Sequence, residues 1–206
     1  MTRIYLVRHG ETDWNRARRI QGSTDIPLND TGRAQAATTG KLLARREWSA
    51  IISSPLSRAF ETASIIAREI GLPEPLSNAD LVERNYGDAE GLDYETIEAR
   101  YPADAPVPGR EERLDVAARA LPAIMVLAEQ YPDQSIIVVS HGGVIRAILN
   151  EVAPGNDTGR IRNGSIHSFL HTDGTLDLIA FDDPIDIESL ECATEDITEQ
   201  NALESR

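Results

Sequence analysis

Two apolar runs far apart in the chain each end in His-Gly: Leu6-Val7-Arg8-His9-Gly10 near its start and Val138-Val139-Ser140-His141-Gly142 far downstream. A neutral imidazole is a nucleophile, and a guanidinium fork binds the oxygens of a phosphoryl group, so the pair Arg8-His9 suits a phosphate pocket. The run 4–7 reads as a short strand, and ligands of open α/β sheets bind at the carboxyl ends of strands. Gly10 would let the backbone turn sharply beside a ligand. The plainer alternative makes each histidine a satisfied core or turn residue. Two matching junctions count against it.

Three further groups could share this chemistry. Arg58 falls in the first turn of a helix, where the positive end of the helix dipole disfavours a cation. A bound phosphate would explain the placement, since helix N-terminus and guanidinium both stabilise its charge; the alternative is an arginine reaching sideways over the surface. Glu83, in Leu81-Val82-Glu83-Arg84-Asn85-Tyr86-Gly87, is a weak signal on its own, since a glutamate at a strand end is more often a solvated charge or a salt-bridge partner. Arg16, Arg18 and Arg19 crowd a polar loop that is either a solvated face or a passage for substrate. His167 and His171 fall on one face of an alternating run and read as structural or exposed.

The elements that must position these residues follow from periodicity. Residues 50–53 and 136–140 read as buried strands, and 165–171 and 175–179 as a hairpin turning at Asp173-Gly174. A helix capped by Asp30 or Thr31 is expected to about residue 46, with Ala34, Ala37, Leu42 and Leu43 on its apolar face. A second begins around Arg58, carries Ala59, Ala63, Ile66 and Ile70, and ends at Gly71. Residues 93–101 form a short helix, 111–130 a long one bent near Pro122 with Leu114, Ala118, Leu121, Ile124 and Leu127 inward, and another starts at Gly142. The proline-rich stretch 102–110 is a loop and a candidate lid. Alternating strands and helices indicate an α/β fold, a three-layer α/β/α sandwich with a mostly parallel sheet.

The 206 residues suffice for one domain, taken as 1–181, followed by an acidic C-terminal tail, 182–206. A net charge of −14 argues against nucleic acid or an anionic membrane as partner, and leaves an anionic substrate to a local group of arginines. Cys192 is the only cysteine, so no internal disulfide is possible, and no metal-site spacing occurs. With no long apolar run and a strand almost at Met1, a cytoplasmic protein is expected, with a homodimer as the open question of assembly.

The motif Arg8-His9-Gly10-Glu11-Thr12 resembles the signature of the histidine phosphatase superfamily, which includes cofactor-dependent phosphoglycerate mutases and many phosphomonoesterases. The resemblance continues in Gln21-Gly22, Ser54-Pro55-Leu56-Ser57-Arg58-Ala59, Glu83-Arg84-Asn85-Tyr86-Gly87 and Ser140-His141-Gly142. It implies the same three layers, His9 as nucleophile, Arg8, Arg58 and His141 as charge stabilisers, and Glu83 as general acid. It further implies substrate contacts at Asn15, Gln21, Gly22, Tyr86 and Gly142, with no metal and no cofactor. The implied enzyme is a phosphomonoesterase, a phosphatase of the histidine acid type, acting on a small phosphorylated metabolite through a phosphohistidine. Glu83-Arg84 with Tyr86-Gly87 looks like the mutases. However, Gly91-Leu92-Asp93-Tyr94 stands where they carry Gly-Leu-Asn-Lys, Gly143-Val144 where they carry Asn-Ser, and the region 93–113 lacks their longer insertion with paired arginines. The phosphatase branch is therefore expected, a mutase second, and a catalytically silent phosphate-binding regulatory module is the alternative of another class.

Overall fold

A computed structural model describes residues 1–102, 105–155 and 159–183. The strands are β1 (Thr2–Arg8), β2 (Ala50–Ser53), β3 (Leu76–Ser77), β4 (Ser135–Ser140), β5 (Ile166–Thr172) and β6 (Thr175–Ala180). The helices are α1 (Asp13–Arg16), α2 (Asp30–Leu43), α3 (Ser57–Ile70), α4 (Tyr94–Arg100), α5 (Arg113–Gln130) and α6 (Gly142–Val152). One sheet takes the order β3-β2-β4-β1-β5-β6. Its β3, β2, β4 and β1 pair in parallel, and β5 is antiparallel to both of its neighbours, β1 and β6.

Strand alternation divides the core into two layers. Ile4, Leu6, Ile52, Ile136 and Val138 face one side and pack with Val116, Ala120 and Ile124 of α5 and Ile145 and Ile148 of α6. Tyr5, Val7, Ile51, Ile137 and Val139 face the other and pack with Leu43 of α2 and Ala59, Ala63 and Ile66 of α3. Both faces being covered, the strands need continuous apolar runs, which the sequence supplies. The expected three-layer α/β/α sandwich is the observed one.

A third, smaller cluster lies over the carboxyl ends of the strands, built from Ile20, Tyr86, Ala89, Ile97 and Val107. It ties down part of the proline-rich loop expected as a lid: Val107 is buried, and Asp88 N donates to Pro108 O at 3.0 Å.

Several local expectations need correction. The N-cap of α2 is Asn29, whose side chain accepts from Gly32 N, and not Asp30 or Thr31. Its inward face is Gly32, Ala36, Thr39, Gly40 and Leu43, and Ala34 is exposed. Close approach decides this: a Cβ on Gly32 would stand 2.1 Å from Glu11 O, and one on Gly40 would stand 2.8 Å from Glu69 Cβ. In α5, Pro122 lies inside the helix, but Leu114 is 72% exposed while Val116, Ala117 and Ala120 face inward. His167 and His171 are both buried, which leaves only the structural half of their reading. The acidic tail falls outside the described residues from 184 onward.

Candidate active site

The site forms because three parallel strands end side by side. Arg8 of β1 lies in register with Ser140 of β4, and Ser53 of β2 with Val139. His9 N donates to Ser140 O and Ser54 N to Val139 O, each at 3.0 Å, which carries the ladder one residue past the strand ends. The rings of His9 and His141 then stand 5.2 Å apart with their planes tilted by 59°. One cavity at this edge is lined by Arg8, His9, Ile20, Gln21, Gly22, Arg58, Glu83 and Tyr86.

His9 Nδ1 lies 2.6 Å from Gly10 O. A carbonyl oxygen can only accept, so Nδ1 carries the proton and Nε2 keeps its lone pair. Burial, and then the charges of Arg58 and Arg8, hold the His9 pKa well below the usual histidine value, so the ring is neutral. Gly10 serves a different purpose from the sharp turn expected of it. A Cβ there would stand 2.3 Å from Gly32 O, so Gly10 lets the loop after β1 lie against the start of α2.

His141 is the N-cap residue of α6, with Nε2 2.8 Å from Ser54 Oγ. Its Nδ1 is buried and has no hydrogen-bond partner among the described residues. Burial, followed by Arg58, His9 and Arg8, depresses this pKa well below the usual value too.

Arg58 is 0% exposed, although it stands in the first turn of α3. Its NH2 donates to Gly22 O at 2.7 Å and its NH1 to Thr24 O at 2.9 Å, while its Nε has no partner among the described residues. The guanidinium therefore turns back toward the 22–24 loop and the cavity, and the surface alternative fails. The N-terminus of α3 has its own anion, because Asp25 accepts from Ser57 N at 2.8 Å. Arg8 is anchored by donation to Ile161 O at 2.6 Å.

Glu83 follows a single turn of 3-10 helix, 79–81, and is buried. Its Oε1 accepts from Arg84 N at 2.7 Å and its Oε2 from Gly143 N at 3.1 Å. A Cβ on Gly143 would stand 2.5 Å from Glu83 Oε1 and 3.2 Å from Tyr86 OH, so any larger residue here would push the Glu83 carboxylate aside. Arg84 stacks over Tyr86 with its Cζ 5.2 Å from the ring centre and donates through Nε to Glu111 O at 2.8 Å.

Of the residues expected to touch substrate, Gln21, Gly22 and Tyr86 line the cavity. Asn15 is fully buried in a capping role: its Oδ1 accepts from Thr12 N at 3.1 Å, closing the box that starts α1. Gly142 is the first residue of α6 and buried. Sequence reasoning missed Ser54 as the partner of His141, Gly143 as the seat of Glu83, and Glu90, which accepts from Tyr86 N at 3.0 Å. Among the described residues, no group of three or more His, Cys, Asp or Glu side chains is placed to hold a metal ion.

Known proteins resemble this chain in sequence and in fold. The chain is 42% identical over 156 residues to the uncharacterized phosphatase PhoE of Bacillus subtilis, covering 76% of this chain and 80% of that one. It is 36% identical over 179 residues to a metal-independent phosphoserine phosphatase of Arabidopsis thaliana, covering 81% and 75%. The solved structure of mycobacterial glucosyl-3-phosphoglycerate phosphatase in complex with VO3 superposes with a TM-score of 0.80 at 30% identity, over 87% of this chain and 98% of that one. A sequence model described as "Histidine phosphatase superfamily (branch 1)" matches residues 4–184, and to that superfamily the chain belongs.

Proposed function

We propose that this chain is a phosphomonoesterase that hydrolyses a small phosphorylated metabolite through a phosphohistidine on His9. The observation that carries this is the His9 imidazole: neutral, fixed by Nδ1–H donation to Gly10 O, and lining one cavity with Arg8 and Arg58. The Nε2 lone pair attacks phosphorus, the Nε2–P bond forms, and the ester P–O bond breaks. Arg8, Arg58 and the His141 Nδ1–H stabilise charge on the equatorial oxygens. In this reading the Ser54 hydroxyl, 2.8 Å from His141 Nε2, is the donor of that contact, which leaves the proton of the ring on Nδ1.

Glu83 gives its proton to the leaving oxygen and then takes one from the water that attacks the phosphohistidine, so the histidine acid type of reaction closes on inorganic phosphate. Because both carboxylate oxygens already accept backbone N–H groups, the group is aimed before substrate arrives. Two relatives are named a metal-independent phosphoserine phosphatase and a glucosyl-3-phosphoglycerate phosphatase, which supports a small phosphate ester as the substrate. The reaction needs no cofactor, and we assign it to the cytoplasm; among the described residues no helix is long and apolar enough to cross a membrane.

A mutase is the second reading, favoured by 33% identity over 162 residues to a 2,3-bisphosphoglycerate-dependent phosphoglycerate mutase of a Methylobacterium. One experiment separates the two. The protein is incubated with 3-phosphoglycerate and a trace of 2,3-bisphosphoglycerate, and in parallel with a panel of phosphorylated metabolites, while free phosphate is measured. Phosphate release from at least one ester, with label trapped on wild type under alkaline denaturation and none on His9→Ala, is expected. Fast formation of 2-phosphoglycerate with negligible phosphate release would replace the phosphatase reading with the mutase one.

A further inference from the structure

Glu90 does not line the cavity, yet its carboxylate gathers five donors from two segments that do. Its Oε1 accepts from Ser23 N at 2.8 Å, Ser23 Oγ at 3.1 Å and Tyr86 N at 3.0 Å. Its Oε2 accepts from Thr24 N at 2.9 Å and from Thr24 Oγ1. The carbonyls of the same short loop, Gly22 O and Thr24 O, are the two acceptors that hold Arg58. Tyr86, in turn, is three residues from Glu83 and shares the cavity wall with it.

We propose that Glu90 is a positioning residue that sets Arg58 against Glu83, acting through the 22–24 loop and the Tyr86 backbone. A carboxylate suits this task because it accepts on all sides and donates nothing, so one side chain can collect N–H and O–H groups from two strands of loop. The loop shape confirms how closely the group is fitted. Gly22 has φ +56°, and a Cβ there would stand 2.0 Å from Glu90 Oε1, so the carboxylate occupies the space that any other residue at 22 would need. Backbone bonds bracket the contact, with Ile20 N donating to Leu92 O at 3.0 Å and Gly91 N to Ile20 O at 2.8 Å. What Glu90 adds to that bracket is the orientation of the two carbonyls that aim Arg58.

The inference rests on the proposed role of Arg58 in phosphate binding, and the test keeps the two apart. Glu90→Gln retains the size of the side chain but offers an amide N–H where Ser23 or Thr24 also donates. The measurements are the inhibition constant for inorganic phosphate, kcat and KM on p-nitrophenyl phosphate, and Tm, for Glu90→Gln, Arg58→Ala and the double variant. Glu90→Gln is expected to weaken phosphate inhibition and lower kcat by about tenfold, a fraction of the loss that a 1 Å misplacement causes. In the Arg58→Ala background it is expected to have little further effect on either constant. Thr24→Val, which deletes one bond to Oε2, should move both constants the same way by less, and serves if Glu90→Gln does not fold. Unchanged phosphate inhibition in Glu90→Gln, or full additivity with Arg58→Ala, overturns the proposal. If Arg58→Ala itself leaves phosphate inhibition unchanged, the reading of the site fails first.

Discussion

Replacing Gly143 by alanine tests the placement of Glu83, the proposed general acid, without changing Glu83 itself. The added Cβ would stand 2.5 Å from Glu83 Oε1 and 3.2 Å from Tyr86 OH, whereas real Cβ contacts below 3.0 Å essentially never occur. The carboxylate oxygen must therefore retreat by roughly half an ångström or more, and the Gly143 N–H bond at 3.1 Å lengthens with it. Misplacing a catalytic group by about 1 Å can cost about 10²-fold, so a loss of about 10- to 100-fold in kcat/KM is expected where proton donation limits the rate. An alkyl phosphate such as glycerol phosphate is such a substrate, because its alkoxide is a poor leaving group. p-Nitrophenyl phosphate is not, because p-nitrophenolate departs almost unaided. The assay is kcat/KM on both esters for wild type, Gly143→Ala and Glu83→Gln, with Tm measured alongside. Equal losses on the two esters would show that Gly143 and Glu83 position substrate and that no proton is delivered from this side.

Three other outcomes follow from the geometry. Arg58→Ala should lower kcat by about 10²- to 10³-fold, as removal of one preorganised donor at a developing charge does, and phosphate-release kinetics at saturating p-nitrophenyl phosphate measure it. Treatment with EDTA should leave that rate unchanged, since the proposed charge stabilisers are side chains; loss of activity that magnesium or zinc restores would contradict the mechanism. His167 has its pKa pushed down by burial to about 3, below the unfolded value near 6.5, so its contribution to stability is present at neutral pH and is lost as pH falls through that window. Urea titrations at pH 7 and pH 5 should show His167→Asn losing about 2 kcal/mol less than wild type between the two, and equal losses would mean that His167 is protonated in the fold.

The chemistry at the strand ends was legible because it is local. Residues 4–7 and 136–139 are continuous apolar runs, so the positions of Arg8, His9 and His141 followed from where those runs stop. Arg58 was legible as an anomaly, a cation where the helix dipole resists one, although what resolves it is the pair of carbonyls at Gly22 and Thr24. Less of the supporting shell could be read. Glu90 binds Ser23 and Thr24 across separations of 67 and 66 residues, and no periodicity in either segment announces the partner. Asn15 has a local use that its spacing from Thr12 announces, a capping box that takes up its Oδ1, while its buried Nδ2 has no partner among the described residues. The inward face of α2 was misassigned because hydrophobicity favoured alanines, whereas the packing there selects the glycines that let backbones touch.

The way the buried arginines are held bears on how a chain of net charge −14 is to bind the anionic substrate of the proposed reaction. Arg58 is fixed by Gly22 O and Thr24 O, Arg8 by Ile161 O, and Arg84 through its Nε by Glu111 O. Carbonyl dipoles orient a guanidinium without cancelling its charge, whereas a carboxylate hydrogen-bonded to it would neutralise it and compete with substrate for the same donors. The effect of that choice is visible in Arg58, whose pKa burial pushes down from its ordinary value despite Glu83 and Asp25 nearby. In the proposed reaction a phosphate entering the cavity adds a further anion beside this buried cation. Burial first, and the charges of Arg58 and Arg8 after it, keep His9 neutral, so in the proposed reaction the setting that favours a phosphoryl group also preserves the lone pair that is to attack it.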